Sequence, residues 1–161
     1  MEIAEVVAKR SHDAETQVGS VLIRASNDTL VSTGYNGFIT GAPDHELTNT
    51  RPEKYEYIQH SEMNLVANCA KNGISTEGCY VVCTMSPCKV CTRLLVNAGI
   101  RKVIAKELYR DFNDVLAMKD LKVTCSKEAD GFYHITYDTD YWLKSVTGIF
   151  YDTVVSNRNK I

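Results

Sequence analysis

The sequence lacks any long hydrophobic run. No stretch of its 161 residues approaches the roughly 18 consecutive apolar residues that a membrane-spanning helix needs. The first ten residues contain Glu2 and Glu5 and no apolar core of a signal peptide. We therefore expect a cytoplasmic protein with no membrane partner.

The sequence also lacks an excess of positive charge. Its 18 Lys and Arg residues face 20 Asp and Glu residues, which gives a formal net charge of -2. A polynucleotide-binding domain is usually strongly basic, so we expect no polynucleotide partner. There are only 3 prolines, and no repeat, low-complexity tract or linker divides the chain. These features predict a single domain over residues 1–161.

Cysteine, in contrast, is abundant for a chain without an export signal. Cysteines in such a chain are more often thiols or metal ligands than disulfides. The six are Cys69, Cys79, Cys83, Cys88, Cys91 and Cys125.

The hydrophobic pattern alternates between helical and strand-like segments. It predicts helices over residues 2–10, 61–72, 88–98 and 113–119, and strands over 18–24, 30–35, 79–84, 102–106, 121–125 and, more weakly, 132–137. Helices between apolar strands are typical of a layered α/β sheet, here opening with an antiparallel hairpin. Residues 36–59 lack periodicity and form a loop about twice the ordinary length, which indicates a binding loop.

Two short motifs carry the chemistry. His60 and Glu62 lie at the start of the first long helix, and Cys88 and Cys91 lie at the start of the second. The helix and the strand between them run in opposite directions, so His60 and Cys88 return to the same edge of the sheet. One imidazole and two thiolates favour zinc, and three protein ligands leave a fourth position for water.

Glu62 is the expected proton carrier of such a site. Residues two apart point to different sides of a regular helix, so His60 and Glu62 can share a cleft only if His60 precedes the first turn. A structural zinc finger is the competing interpretation of Cys88 and Cys91, but it needs four ligands in two close pairs. The remaining cysteines are expected to be buried apolar side chains, and His12, His45 and His134 are not expected to be ligands.

A His-x-Glu motif followed by Pro-Cys-x-x-Cys is the signature of zinc nucleobase deaminases. With these residues in place, the chain resembles the deoxycytidylate (dCMP) deaminases of the cytidine deaminase-like superfamily from about residue 11 to residue 109. Other matching segments are Thr16 to Gly19, Gly34 to Gly37, Lys54 to Tyr57, and Cys88 to Ile100.

The resemblance implies a three-layer α/β/α fold with a mixed five-stranded sheet. It also implies a homo-oligomer, often a hexamer, that hydrolyses dCMP to dUMP and ammonia and so feeds thymidylate synthesis. By position it assigns zinc to His60, Cys88 and Cys91, proton transfer to Glu62, and substrate binding to Asn36, Ser86 and Tyr109. Ser61 stands where the family usually has Ala, and because both are small we expect unchanged chemistry.

The mechanism that follows is attack of zinc-activated water on C4 of cytosine. Glu62 first takes the water proton and protonates N3, and it then protonates the departing amino group. The resemblance also implies activation by dCTP and inhibition by dTTP, with Mg²⁺ as a companion of the triphosphate. The effector site would be bordered by Gly34, Tyr35, Asn36 and Gly37.

Two other functions stay open from the sequence. A tRNA adenosine deaminase shares the zinc motif, but it needs a basic face for RNA, and the net charge of -2 argues against one. A catalytically silent, nucleotide-sensing zinc module is the alternative outside enzymes. Glu62 argues against that module, because a structural zinc site has no use for a carboxylate beside an open metal position.

Overall fold

The computed structural model describes residues 1–141, which form one mixed sheet with helices on both faces. The strands are β1 (Gly19–Arg24), β2 (Thr29–Tyr35), β3 (Cys79–Met85), β4 (Lys102–Glu107), β5 (Lys122–Lys127) and β6 (Tyr133–Asp138). The helices are α1 (Glu2–Ala8), α2 (Ser61–Lys71), α3 (Lys89–Asn97) and α4 (Phe112–Leu116), with a 3-10 helix at Glu53–Glu56.

The sheet has the strand order β2-β1-β3-β4-β6-β5. β3 and β4 are parallel and are joined by α3, whereas the other neighbouring pairs are antiparallel. The expected mixed sheet is confirmed, but five strands was wrong, since the described chain has six. The sixth arises because β5 and β6 form a hairpin through the turn at Gly131 (φ 84°), and β6 then pairs with β4.

Two glycines show how the helices are divided between the faces. A Cβ atom on Gly19 would lie 2.1 Å from the carbonyl oxygen of Ala4 in α1. A Cβ on Gly34 would lie 2.2 Å from the carbonyl oxygen of Ser61 in α2. Gly34 pairs with Ser20, the neighbour of Gly19, so the two glycines face opposite sides of the sheet. The three-layer α/β/α arrangement is confirmed.

The core lies between the sheet and helices α2 and α3. Its fully buried side chains include Leu22, Val81 and Val103 from the strands and Leu65 and Leu95 from the helices, all 0% exposed. Burying each such side chain stabilises the fold by roughly 1.5–3 kcal/mol. This packing holds both helices against the sheet.

The binding loop over 36–59 is more ordered than its sequence predicts. It contains the 3-10 helix, and its ends are joined by two backbone hydrogen bonds between Gly37 and Gln59, at 3.0 and 2.9 Å. Residues 53–56 of the predicted loop therefore form a helical turn, which the sequence pattern did not indicate. The predicted strand at 132–137 is confirmed as β6, and the rest of the C-terminal segment, 142–161, lies outside the described residues.

Across residues 1–141, every helix is too short or too polar to cross a bilayer.

The contact between β2 and α2 leads to a prediction for Gly34→Ala. The added methyl group would overlap the backbone of Ser61 and Leu65 (2.2 and 2.5 Å), so α2 must shift. Overpacking of this kind costs roughly 1–3 kcal/mol, and we expect a lower Tm by differential scanning calorimetry. Ser32→Ala on the same strand adds no atoms and serves as the control. A Tm for Gly34→Ala equal to that of the control would contradict the assigned packing.

Candidate active site

His60 and Cys88 occupy equivalent positions at the starts of two helices. His60 is the N-cap of α2 (φ -70°, ψ 155°) and Cys88 is the N-cap of α3 (φ -73°, ψ 173°), so both have extended backbone. The requirement that His60 precede the first turn is therefore met. The sequence placed Cys88 within its helix, but α3 begins at Lys89, and Pro87 precedes the cap.

The side chains of His60, Cys88 and Cys91 converge. Nδ1 of His60 lies 3.5 Å from the Sγ atom of each cysteine, and the three donor atoms lie within 4.8 Å of one another. Tetrahedral zinc, with bonds of roughly 2.3 Å to sulfur and 2.0–2.1 Å to nitrogen, places such donors about 3.5 Å apart. The donor set and its spacing thus fit zinc, and residues 1–141 contain no other such His, Cys or carboxylate cluster.

Proton affinities within the cluster favour a thiolate. A hydrogen bond from Cys91, followed by one from His60, lowers the pKa of the Cys88 thiol to about 4. The pKa of Cys91 is raised because its proton is held against the Cys88 sulfur and because the thiol is buried. The Cys88 thiolate in turn raises the pKa of His60. A metal cation at this place would replace the shared protons.

Glu62 lies in the first turn of α2 and is 3% exposed. Burial raises the pKa of its carboxyl group. The hydroxyl of Ser61 donates to Glu62 Oε2 at 3.0 Å and lies 2.6 Å from the Ser20 hydroxyl. An Ala at position 61 could not make these contacts, so the hydroxyl gives the carboxylate a fixed hydrogen-bond partner. This contact could not be foreseen from side-chain size.

A cleft of about 570 Å³, counting the solvent space at its mouth, gives access to the cluster. Cys91 lies behind the cavity wall and is 0% exposed. The lining side chains include Asp13, Thr16, Asn36, Arg51, Lys54, Tyr55, His60, Ser61, Glu62, Ser86, Cys88 and Tyr109.

Asn36 lines the cavity, but its amide group is engaged by the protein. Its Oδ1 accepts from the Ser11 hydroxyl (2.7 Å) and from the Val18 N–H (2.7 Å). Its Nδ2 donates to the Thr16 carbonyl (2.8 Å) and to Asp13 (3.3 Å). These four bonds use the whole amide, so Asn36 shapes the wall between the first strands and the cavity. Its contact with substrate stays a prediction.

Ser86 and Tyr109 form the opposite wall. The Tyr109 N–H donates to the Ser86 hydroxyl at 2.8 Å, and the Ser86 N–H donates to the carbonyl of Glu107 at 2.8 Å. The Tyr109 ring lies 6.4 Å from that of His60, centroid to centroid. Ser86 therefore holds the backbone at Tyr109 in place, two residues after the end of β4. The substrate contacts of both residues stay predictions.

A buried ion pair in the cavity wall was not predicted from the sequence. Lys54 Nζ lies 2.8 and 2.7 Å from the two carboxylate oxygens of Asp13, and 3.1 Å from Glu15. Lys54 and Asp13 are 2% and 4% exposed. Hydrogen bonding to Lys54 and to backbone N–H groups outweighs burial and lowers the pKa of Asp13. The Lys54 to Tyr57 motif singles out Lys54 in the sequence, but it does not show that Asp13 is the partner of Lys54.

The other cysteines and histidines lie away from the cluster. Cys69, Cys79 and Cys83 are buried as expected, whereas Cys125 is half-buried, so the expectation was wrong for it. Cys125 lies on the inward-facing side of β5 and packs against the core, but β5 is the edge strand, so the side chain is covered less completely. His12 stacks on Phe38 and accepts a hydrogen bond from its N–H (3.0 Å).

The predicted effector segment, Gly34 to Gly37, borders the cavity through Asn36. Gly34 lies against α2, and Gly37 lies against the His12 ring, where a Cβ would come within 2.7 Å of Nδ1. Both glycines therefore have a packing reason for lacking a side chain. The Tyr35 ring meets the His12 ring edge-on at 5.7 Å. An effector role for these residues stays a prediction.

The comparisons with known proteins and the geometry of the site indicate the same protein family. Residues 1–107 match the model of the cytidine and deoxycytidylate deaminase zinc-binding region. That stretch contains His60, Glu62, Cys88 and Cys91, but not Tyr109. The chain is 33% identical to deoxycytidylate deaminase of Homo sapiens over 126 residues, which cover 74% of this chain and 69% of the relative.

Two further relatives extend the similarity. Deoxycytidylate deaminase of Mus musculus is 32% identical over 151 residues, covering 87% of this chain and 83% of the relative. The crystal structure of dCMP deaminase from the cyanophage S-TIM5, in complex with dCMP and dUMP, is 29% identical with a TM-score of 0.60. The match covers 72% of this chain and 85% of that one. The chain therefore belongs to the cytidine and deoxycytidylate deaminase zinc-binding family.

Proposed function

We propose that this protein catalyses the hydrolytic deamination of dCMP to dUMP and ammonia, a reaction that feeds thymidylate synthesis. The observation that carries the proposal is the buried Glu62 carboxylate, which lines one cavity with the His60 and Cys88 donors of the His60, Cys88 and Cys91 cluster. The names of the human, mouse and cyanophage relatives support dCMP as the substrate.

Each residue of the site has a proposed role. His60, Cys88 and Cys91 hold one zinc ion, which when bound makes a water molecule acidic enough to react near neutral pH. Glu62 accepts a proton from that water and delivers it to N3 of the cytosine as the water oxygen bonds to C4. It then takes the second proton of that oxygen and delivers it to the 4-amino group, which leaves as ammonia. The Ser61 hydroxyl orients the Glu62 carboxylate through its 3.0 Å hydrogen bond.

The cavity walls hold the nucleotide. Tyr109 and the backbone of Ser86 contact the base side, and Asn36 supports the opposite wall. Lys54 and Asp13 keep that wall in place, since their ion pair links the binding loop to the segment that precedes β1. In this proposed orientation the cytosine C4 atom lies at the metal end of the cavity.

The substrate assignment predicts a definite pattern of ammonia release. The zinc-loaded protein is incubated with dCMP, CMP, deoxycytidine and adenosine-containing RNA, and dCMP is expected to give the highest kcat/KM. Glu62→Gln keeps the shape but removes the proton carrier, so its kcat should fall by roughly 10² to 10⁴. Preferred release from RNA, or normal turnover by Glu62→Gln, would contradict the proposal.

The metal assignment predicts which cysteines control zinc content. Cys88→Ser and Cys91→Ser replace a thiolate with a weak neutral ligand. We expect less than one zinc per chain in these purified variants, measured by plasma emission spectrometry. Cys79→Ser and Cys125→Ser are the controls, since neither belongs to the cluster. Equal zinc loss in all four variants would mean that the ligand set is wrong.

We further propose regulation by dCTP as activator and dTTP as inhibitor, with Mg²⁺ bound to the triphosphate. The long ordered loop that follows Gly34 to Gly37 supports this proposal, since it closes on itself through Gly37 and Gln59 beside the cavity. Long loops with such order are commonly functional.

Regulation predicts a shift of the dCMP saturation curve. Coupling between two sites typically changes apparent affinity about fivefold to hundredfold. We expect dCTP to lower and dTTP to raise the half-saturating dCMP concentration. Tyr35→Ala, which removes the ring packed on His12, should weaken that response. If neither dCTP nor dTTP shifts the dCMP saturation curve of the parent protein, the proposed regulation is refuted.

We also propose a homo-oligomer, a hexamer by family resemblance, formed by a single domain over residues 1–161 in the cytoplasm. Exposed apolar side chains on helices support self-association, among them Val6 of α1 (62%), Val90 of α3 (65%) and Leu116 of α4 (43%). Neither a membrane nor a polynucleotide is among the proposed partners.

A further inference from the structure

Two arginines from distant parts of the chain lie beside Tyr55, which lines the cavity; Arg51 also lines the cavity, and Arg110 follows the lining residue Tyr109. Arg51, just before the 3-10 helix, donates from Nε to the Tyr55 hydroxyl at 2.9 Å. Arg110 follows Tyr109, and its Cζ atom lies 5.5 Å from the Tyr109 ring centroid and 6.0 Å from the Tyr55 ring centroid. Both guanidinium groups therefore share one aromatic rim.

Lys54 cannot supply positive charge to a ligand, although it lines the same cavity. Its ammonium group lies between Asp13 (2.7 Å) and Glu15 (3.1 Å), and its side chain is 3% exposed. A strongly hydrated ammonium group that is buried in this way is neutralised by its partners. Within residues 1–141, Arg51 and Arg110 offer exposed cationic groups at this rim, and their side chains are 44% and 59% exposed.

Both arginines keep donor capacity for a ligand. Arg51 has five N–H groups, and its hydrogen bonds within residues 1–141 occupy one on each nitrogen, to Tyr55, Glu15 and Thr16. Arg110 bonds to Asp111 through Nε at 3.3 Å. Both members of that pair are more than half exposed, and such pairs contribute little to stability. Arg110 can therefore exchange Asp111 for a stronger anion.

The chemistry of the rim favours phosphate. The neutral phenol of Tyr55 is a weak hydrogen-bond acceptor for two guanidinium groups. Both arginines act on it, because the hydrogen bond from Arg51, and then Arg110, lowers the pKa of Tyr55. Phosphate oxygens accept paired N–H groups from arginine in a fixed geometry. A phosphate dianion would also relieve the repulsion between two neighbouring cations.

The position of the rim matches a nucleotide in the proposed orientation. Tyr109 lies between the two ends of the cavity, with its ring 6.4 Å from that of His60 and 5.5 Å from Arg110. A cytosine ring at the metal end directs its sugar towards the tyrosines. We propose that Arg51 and Arg110 bind the 5′-phosphate of the substrate and select nucleoside monophosphates over nucleosides, an inference that rests on the proposed function.

Paired substrates test this inference. For zinc-loaded Arg51→Ala and Arg110→Ala, the KM for dCMP should rise roughly tenfold to hundredfold, as expected for the loss of a charged hydrogen bond. The kcat/KM for deoxycytidine should stay unchanged, because that substrate has no phosphate. Arg93→Ala is the matched control, since it removes an arginine with a similar exposed carboxylate partner, Asp120. Equal losses for both substrates, or an unchanged KM for dCMP, would overturn the inference.

Two further measurements distinguish phosphate binding from a structural or a regulatory role of the arginines. Glu15→Gln removes a partner of Arg51 but keeps the guanidinium group, so dCMP binding should persist; loss equal to that of Arg51→Ala would mean a structural role only. If the arginines instead held a regulatory triphosphate, the variants would lose the response to dCTP and keep the dCMP KM, which also refutes the inference.

Calorimetric titration with dCMP keeps this test separate from the test of deamination. A parent protein that binds dCMP more tightly than deoxycytidine, with Arg110→Ala abolishing the difference, supports the phosphate site even without turnover. Absence of turnover would then contradict only the proposed function.

Discussion

Two helices begin at the same edge of the sheet, and the residue that caps each of them carries a metal-binding atom. His60 and Cys88 have extended backbone just before α2 and α3, which directs their side chains away from the helix axes and into one cleft. Cys91 and Glu62 follow within the first turns. The distances of 3.5 Å between the imidazole nitrogen and the two sulfurs depend on this pairing of helix starts. Any shift of one helix along the sheet would separate the donors.

The packing that prevents such a shift is tight and local. At Gly34, β2 approaches α2 so closely that a methyl group would overlap the backbone of Ser61. On the same face of the sheet, the Ser20 hydroxyl is hydrogen-bonded to the Ser61 hydroxyl, which also donates a hydrogen bond to the Glu62 carboxylate. The sheet therefore positions the proposed proton carrier through a glycine contact and a short chain of hydroxyl groups. Core burial of Leu65 and Leu95 secures the remainder of both helices.

A second, polar core holds the other wall of the cavity. Asp13 is bonded to Lys54 and to Asn36, and Asn36 uses its amide to bind Ser11, Thr16 and Val18. Removing one partner of a buried ion pair costs about 3–5 kcal/mol, because the other charge is left uncompensated. This network gives the loop over 36–59 a fixed point beside the cavity. It also explains why the nearby arginines, and not the buried lysine, are available to a ligand.

The order of strands and helices, the convergence of His60, Cys88 and Cys91, and the family could all be predicted from the sequence. These features depend on local periodicity and on fixed spacings around His60 and Cys88. The place of the sixth strand next to β4, the pairing of Lys54 with Asp13, and the meeting of Arg51 with Arg110 emerged only from the folded chain. Lys54 and Asp13 are 41 positions apart, and no local pattern states which distant charges will meet. Such contacts depend on how the sheet brings loops together, because burial and hydrogen bonding then select the partners.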